Sequence, residues 1–317
     1  MNLATKMSND LMLSDDTIKN IASNSDKYYR RYTVAKRNGS GERRVIYHPS
    51  PKLKCLQYWI VHNTLQEFPS SPYSMAYEPG CSIKKNALFH KDAKHILHLD
   101  IRNFFETITR QHIEAALLKN SDLSPDDKEL FYGIVLFKDH LVIGSVASPA
   151  ISNRIMYDLD IEIHSIATKF GNLKYTRYAD DLVFSSSKYI EKGIVEEVES
   201  TLNHYGFGLN HRKTRFMSSA TRKMVTGLTL DNGRVTIGHR LKRQIKSMVY
   251  NKLEHNDGNV DVIRGYLSFL KEIEPDYFDR IIMKYSNYGN VLELLASDSS
   301  LSKQSNDEAA VTVENPE

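Results

Sequence analysis

Between Leu173 and Phe184 the chain reads as two runs of strand-type residues interrupted by two adjacent acids. Tyr175, Arg177 and Ala179 alternate with Thr176 and Tyr178, and Leu182-Val183-Phe184 resumes an apolar run, so Asp180 and Asp181 fall where a tight turn belongs. The pattern predicts a strand-turn-strand hairpin. Another strand is predicted over His95 to Ile101, where apolar residues continue almost without a break, end in Asp100 and precede Phe104-Phe105. Such a run suits a buried central strand. Tyr28 to His48 reads as strand, Asn38-Gly39-Ser40-Gly41 turn, and strand. Helical spacing links Leu56, Ile60, Leu65 and Phe68, then Ile151, Ile155, Leu159 and Ile163, with Ser148 and Pro149 suited to an N-cap and first helical position. It recurs at Ile190, Ile194, Val198 and Leu202, closed by Gly206, and at Leu241, Ile245 and Met248. Met1 to Asn24 carries a weaker helical pattern, and Val260 to Ile273 reads as a helix packed behind the preceding one.

Two acids at a half-buried turn repel each other and lose hydration, so they call for a divalent cation that neutralises both. An Asp-Asp turn selected for its backbone preferences is the alternative. Asp100 favours the first reading. Two strands of one sheet that deliver carboxylates to the same end form a hard-oxygen site for two Mg²⁺ ions about 3.5 to 4 Å apart. Such a site suits phosphoryl transfer, lowering the pKa of an attacking 3′- or 2′-hydroxyl and stabilising a leaving pyrophosphate.

The order Asp100, then Gly144 to Pro149, then Tyr178-Ala179-Asp180-Asp181, then Lys213 resembles the palm of reverse transcriptases. Asn86-Ala87-Leu88-Phe89-His90 fits the N-A-x-x-H element, and Val225-Thr226-Gly227 the V-T-G element, of bacterial retron reverse transcriptases. The resemblance implies an α+β right-hand polymerase: a helical extension over 1–27, fingers over 28–95, a palm with an antiparallel sheet over 96–237 that takes in fingers elements around 106–142, a helical thumb over 238–296 and a disordered tail over 297–317. It further implies an RNA-directed DNA polymerase that uses deoxynucleoside triphosphates to copy part of a cognate msr-msd type noncoding RNA. Priming from an RNA 2′-hydroxyl would give branched multicopy single-stranded DNA, and the system would serve antiphage defence with a separate effector or toxin protein.

Carried onto this chain, the family's catalytic acids are Asp100, Asp180 and Asp181, and its metal ligands are these three with Ile101. The nucleotide site would take Arg44, Phe105, Gly144 and Lys213, the last as a possible proton donor to pyrophosphate, although a lysine in a basic loop is commonly just solvated. Phe105 would exclude a ribose 2′-hydroxyl by its bulk, leaving Phe104 to the core because neighbouring aromatics on a strand point to opposite faces. RNA and primer would meet Tyr178, Val225, Thr226 and Gly227, and the thumb cations Arg240, Lys242, Arg243 and Lys246. Asn86 and His90 share a helical face, available to RNA or to anchor the adjoining loop. The chain departs from the family at Val142-Ile143, where most relatives carry Pro-Gln.

A length of 317 residues suits two or three subdomains. The net charge of +3 is small, but Arg30, Arg31, Lys36, Arg37, Arg43 and Arg44 interleave with Tyr28, Tyr29, Tyr32 and Tyr47. That mixture suits phosphate contacts with base stacking, or a solvated basic face. The two cysteines, Cys55 and Cys81, form no C-x-x-C pair, which argues against a zinc ribbon or a disulfide framework and fits a reducing cytoplasm. No apolar run approaches the ~20 residues of a membrane span, and no signal segment follows Met1, so neither secretion nor a membrane partner is expected. Two rival readings remain: another reverse transcriptase class, of the group II intron or diversity-generating kind, and a noncatalytic RNA-bound scaffold that restrains a toxin.

Overall fold

Small polar residues and prolines punctuate the first third of the chain, and the helices start where they stand. In the computed structural model, which describes residues 2–35, 41 and 43–288, α1 (Leu3–Leu11) and α2 (Asp15–Ser23) are capped by the side chains of Asn2 and Ser14. The weak N-terminal pattern is therefore two helices. β1 (Tyr29–Ala35) and β2 (Arg43–Pro49) pair antiparallel. Lys36, Arg37, the expected turn residues Asn38 to Ser40 and the tail over 297–317 lie outside the described residues. Ser50 and Pro51 begin α3 (Pro51–Trp59), and Ser82 caps α4 (Ile83–Phe89).

The structural centre is a four-stranded antiparallel sheet. β3 (His95–Asp100) is followed by α5 (Phe104–Thr107), α6 (Arg110–Ile113), α7 (Pro125–Val135), α8 (Ala147–Ile155) and α9 (Tyr157–Lys169). The chain then returns as the hairpin β4 (Lys174–Tyr178) and β5 (Asp181–Ser186), α10 (Gly193–His204) and the edge strand β6 (Arg215–Met217). The sheet order β4-β5-β3-β6 places β3 inside, as its unbroken apolar run requires. Register sorts the two faces. Leu97 opposes Phe184 and Leu99 opposes Leu182 on the face that joins the core with Leu159, Ile163, Ile194 and Val198. His98 opposes Val183 and Asp100 opposes Asp181 on the other face.

Two expectations need correction. α8 begins at Ala147 with Val146 as its N-cap, so Ser148 lies inside the first turn, where its Oγ accepts from the Val142 N–H at 3.3 Å. Phe104 and Phe105 lie on a short helix rather than a strand, yet they still divide, Phe104 buried and Phe105 partly exposed.

A buried polar knot fixes the returning hairpin to α9. Arg177 and Asp160 are each fully buried at the side chain, and Arg177 Nη2 donates to Asp160 Oδ2 at 2.8 Å while its Nε reaches both carboxylate oxygens. Tyr175 donates to Asp160 Oδ1 at 2.7 Å, and Arg177 Nη1 reaches Asn153 Oδ1 and the Ala179 carbonyl. Register puts Arg177 opposite Leu182, on the core face, which is why it is buried.

Past Lys213 the chain forms the hairpin β7 (Lys223–Val225) and β8 (Leu228–Asp231), and then β9 (Arg234–Thr236). Contacts divide the chain into one unit ending at Arg234 and another beginning at Val235. The second unit holds α11 (His239–His255), α12 (Val260–Ile273) and α13 (Pro275–Tyr285) around buried Ile245, Val249, Leu267, Leu270 and Ile281. Among the described residues no helix is long and apolar enough to cross a membrane.

Removing one partner of the buried pair leaves an unneutralised charge in the core. Asp160→Ala is expected to cost roughly 3–5 kcal/mol, read as a lower urea midpoint of unfolding. An unchanged midpoint would show that the pair does not secure the hairpin.

Candidate active site

The acids converge because the strand register leaves them no alternative. Asp100, the last residue of β3, pairs with Asp181, the first of β5, and the Ile101 N–H donates to the Asp180 carbonyl at 2.9 Å. Carboxylate oxygens of Asp100, Asp180 and Asp181 all lie within 4.8 Å of one another. The turn that presents Asp180 is two residues long, since Tyr178 pairs with Asp181. Its first residue, Ala179, has φ +56°, a left-handed conformation that such turns usually give to glycine. Ile101 is an apolar, buried side chain, so only its main-chain carbonyl is chemically able to ligate.

The electrostatics are those of an unsatisfied anionic cluster. Burial first, then the charges of Asp181 and Asp100, push the Asp180 carboxyl up to about 6. Asp100 is the best-compensated acid: Lys213 Nζ stands 2.5 Å from its Oδ2, and Asn210 Nδ2 donates to its Oδ1 at 3.1 Å. His98 Nε2 lies 3.3 Å from Asp181 Oδ1. Burial works against the Lys213 ammonium, but the hydrogen bond and charge of Asp100, with the charges of Asp180 and Asp181, more than offset it, and its pKa is raised. Three carboxylates whose oxygens already draw in a lysine, an amide and an imidazole form a donor set that fits a divalent cation. The spacing of the motifs did not reveal Asn210 or His98. Only the β3 register and the loop after α10 bring them in.

Around the acids, the expected nucleotide residues separate. Phe105 has its ring centroid 6.4 Å from that of Tyr77. Burial, then the charges of Asp180 and Tyr178, raise the Tyr77 hydroxyl to about 12, with Arg177 and Arg44 opposing, so Tyr77 belongs to the surroundings of the acids and Arg44 to those of Tyr77. Tyr77 was not foreseen; its φ of +62° is a backbone feature hidden from residue patterning. Gly144 has φ +104°, and a Cβ there would stand 2.6 Å from the Tyr47 carbonyl oxygen, so the close approach it permits is to β2, sealed by a Tyr47 N–H to Ile143 carbonyl bond of 2.8 Å. The neighbouring Val142 is buried. Tyr29 and Tyr47 turn their rings onto Phe137, with centroids 5.1 and 4.5 Å away, rather than standing free to stack on bases.

Three expected nucleic-acid contacts are corrected. Asn86 and His90 are fully buried. His90 Nδ1 and Nε2 lie 2.6 and 2.7 Å from the hydroxyls of Ser185 and Thr176, and Thr176 donates to Asn86 Oδ1 at 2.6 Å, so both side chains turn inward and anchor α4 to the acid-bearing hairpin rather than lying at the surface. Lys242 is paired with Glu274 and stands 4.4 Å from the Tyr277 ring centroid, so its charge is spent within the helical unit. Arg240 and Arg243 are exposed, while Lys246 Nζ lies 5.4 Å from the same ring. Tyr178 is half-buried beside the acids. Thr226 and Gly227, at φ +46° and +82°, form the two-residue turn between β7 and β8, directly after buried Val225.

The family model described as reverse transcriptase (RNA-dependent DNA polymerase) matches residues 34–246. Among curated proteins, the chain is similar to the retron Ec86 reverse transcriptase of Escherichia coli, with 30% identity over 89% of this chain and 88% of that one. It is 34% identical to the retron Ec83 reverse transcriptase of the same organism, over 81% and 87%. Among solved structures, a foamy viral protease-reverse transcriptase in complex with double-stranded DNA aligns at 14% identity and a TM-score of 0.44, over 84% of this chain and 43% of that one.

The raised Asp180 carboxyl carries a pH signature in the metal-free protein. A folded-state value near 6 against an ordinary 3.8 means that the folded form holds this proton more tightly. Its contribution to stability is complete below pH about 4 and is lost as pH rises through about 6. Asp180→Asn, which mimics the protonated group, should therefore gain about 3 kcal/mol over the parent at pH 7.5 in chelator, with the gain shrinking toward zero at pH 4. Equal denaturation curves for the two proteins at pH 7.5 would contradict the charge crowding.

Proposed function

The chain belongs to the retron reverse transcriptases, and on that premise we propose that it reverse-transcribes part of a cognate structured noncoding RNA into branched multicopy single-stranded DNA. It is an RNA-directed DNA polymerase of the right-hand fold, and enzymes of this family use divalent metal ions. The gathering of Asp100, Asp180 and Asp181 within 4.8 Å supports the polymerase chemistry, and the retron relatives support the choice of template and product. On this reading the bound ions are Mg²⁺, held by the three carboxylates and the Ile101 carbonyl. They would supply activation of the attacking hydroxyl and neutralisation of the triphosphate.

The chain's own residues do the rest. Asp100, Asp180 and Asp181 fix where the reacting phosphate must sit, with Arg44 placed to meet its charge as an always-ionised guanidinium. Phe105 lies beneath the sugar and denies space to a ribose 2′-hydroxyl. Lys213, which keeps its proton at neutral pH, donates it to the departing pyrophosphate once released from Asp100. Gly144 contributes by letting β2 lie close enough to shape the pocket. Tyr178 and the Val225-Thr226-Gly227 turn support the primer end, and Arg240, Arg243 and Lys246 meet duplex phosphates, a mode suited to A-form RNA. The priming group is an RNA 2′-hydroxyl, the partners are an msr-msd type RNA and a separate effector protein, and the biological role is antiphage defence.

Nucleic acid that copurifies with the protein should contain short DNA joined to a structured RNA through a 2′-5′ bond, detected by sequencing before and after debranching. Unbranched or absent DNA would assign the chain to another kind of template use. Asp180→Asn should reduce DNA synthesis at least ~10³-fold, and full-length product from that variant would sink the catalytic assignment. Phe105→Val should raise ribonucleotide incorporation roughly 10- to 100-fold relative to deoxynucleotides, measured in a primer-extension competition. An unchanged ratio would remove Phe105 from the sugar site.

A further inference from the structure

The V-T-G turn and the N-A-x-x-H helix are physically one object. Thr226 adopts φ +46°, a conformation that costs a β-branched residue roughly 1–3 kcal/mol. In that strained position its Oγ1 donates to the carbonyl of Ile83, the first residue of α4, at 3.0 Å. The neighbouring Gly227 faces open space.

On α4 itself, Asn86 and His90 take part in a directed chain of hydrogen bonds that starts on the acid-bearing hairpin and ends at Asn86. Burial, then the charge of Lys174, bring His90 down to about 3, so its ring is neutral and carries a single N–H. Thr176 has one proton and donates it to Asn86 Oδ1, so it accepts from His90 Nε2–H, and Nδ1 accepts from the Ser185 hydroxyl. Thr176 stands on β4, which leads into the Asp180-Asp181 turn, and Ser185 on β5, which leads out of it. Asn86 Nδ2 remains buried without a partner, at a cost of about 1–3 kcal/mol. A strained turn at one end and an unmet donor midway therefore mark a single path to the acids, and an apolar contact would have joined the same elements at lower cost.

We propose that Thr226, Asn86 and His90 are positioning residues, and that α4 is a rigid strut through which the β7–β8 turn sets the placement of Asp180 and Asp181. The inference rests on the polymerase reading and adds to it a mechanical role for both elements. Support given to the β7–β8 turn is then transmitted to the acids and governs the chemical step.

Thr226→Val keeps the branched shape and removes the donor, whereas Thr226→Ser keeps the donor. On a primed RNA template, Thr226→Val should lower kcat roughly 10- to 100-fold, with KM for deoxynucleotide within about twofold, and Thr226→Ser should recover most of the loss. His90→Gln should lower kcat likewise, and the Thr226→Val/His90→Gln pair should be no worse than the poorer single variant, because both cut one path. The inference is overturned by a raised KM for primer-template at unchanged kcat, by equal loss in the valine and serine variants, or by losses that multiply in the pair. Should His90→Gln fail to fold, the valine and serine comparison at the surface turn decides alone. Wild-type protein inert on the same template would sink the polymerase reading itself, a separate result.

Discussion

The constraint on which this molecule depends is the mutual repulsion of three carboxylates that the strand register forces together. Asp100 and Asp181 face each other across β3 and β5, a placement that antiparallel sheets disfavour for like charges. Asp180 is added by a turn whose first residue is itself in a left-handed conformation. Without a cation the cluster destabilises the fold locally, and Asp180 responds by holding its proton up to about pH 6. The three carboxylates thus form a donor set that suits a divalent cation.

Such a cluster needs a frame that does not relax, and the acid-bearing hairpin is braced on both faces. On the core face Arg177 forms a bidentate pair with Asp160 and also reaches the carbonyl of Ala179, the strained residue itself. On the opposite face His90 ties β4 to β5 through their hydroxyls. Buried ion pairs contribute little net stability but resist distortion, since a broken one strands a charge. The hairpin therefore gains rigidity from interactions that are poor sources of free energy, which suits a part that must resist the repulsion of its own acids.

Much of this was legible in the chain because period-2 patterning marks both faces and ends of a strand. The apolar run ending in Asp100 and the interrupted run at Asp180-Asp181 located the two strands, and their convergence followed once both belonged to one sheet. Helical spacing located the stripes of α9 and α10. Less could be read where tertiary contact decides. Asn86 and His90 share a helix face in any reading, but only the packed structure shows that this face meets Thr176 and Ser185 rather than solvent. Lys242 stands among exposed cations in sequence, and its capture by Glu274 depends on how α11 and α12 cross. Tyr77 gave no signal, because positive φ in a tyrosine follows from its surroundings and not from local preference.

Lys213 shows how the same crowding shapes the chemistry. Its side chain is about half exposed while that of Asp100 is almost fully buried, so only the lysine side of the pair faces solvent. Paired with Asp100, it is a poor acid, since separating its proton means leaving carboxylates uncompensated. Freed from Asp100, it loses the interactions that raised its pKa and becomes a better proton donor. One nitrogen cannot pair with Asp100 and protonate a leaving group at the same moment, so the proposed donor role would require Lys213 to leave Asp100 first. Such a departure would need no moving domain, only a flexible four-carbon stem beside a fixed carboxylate.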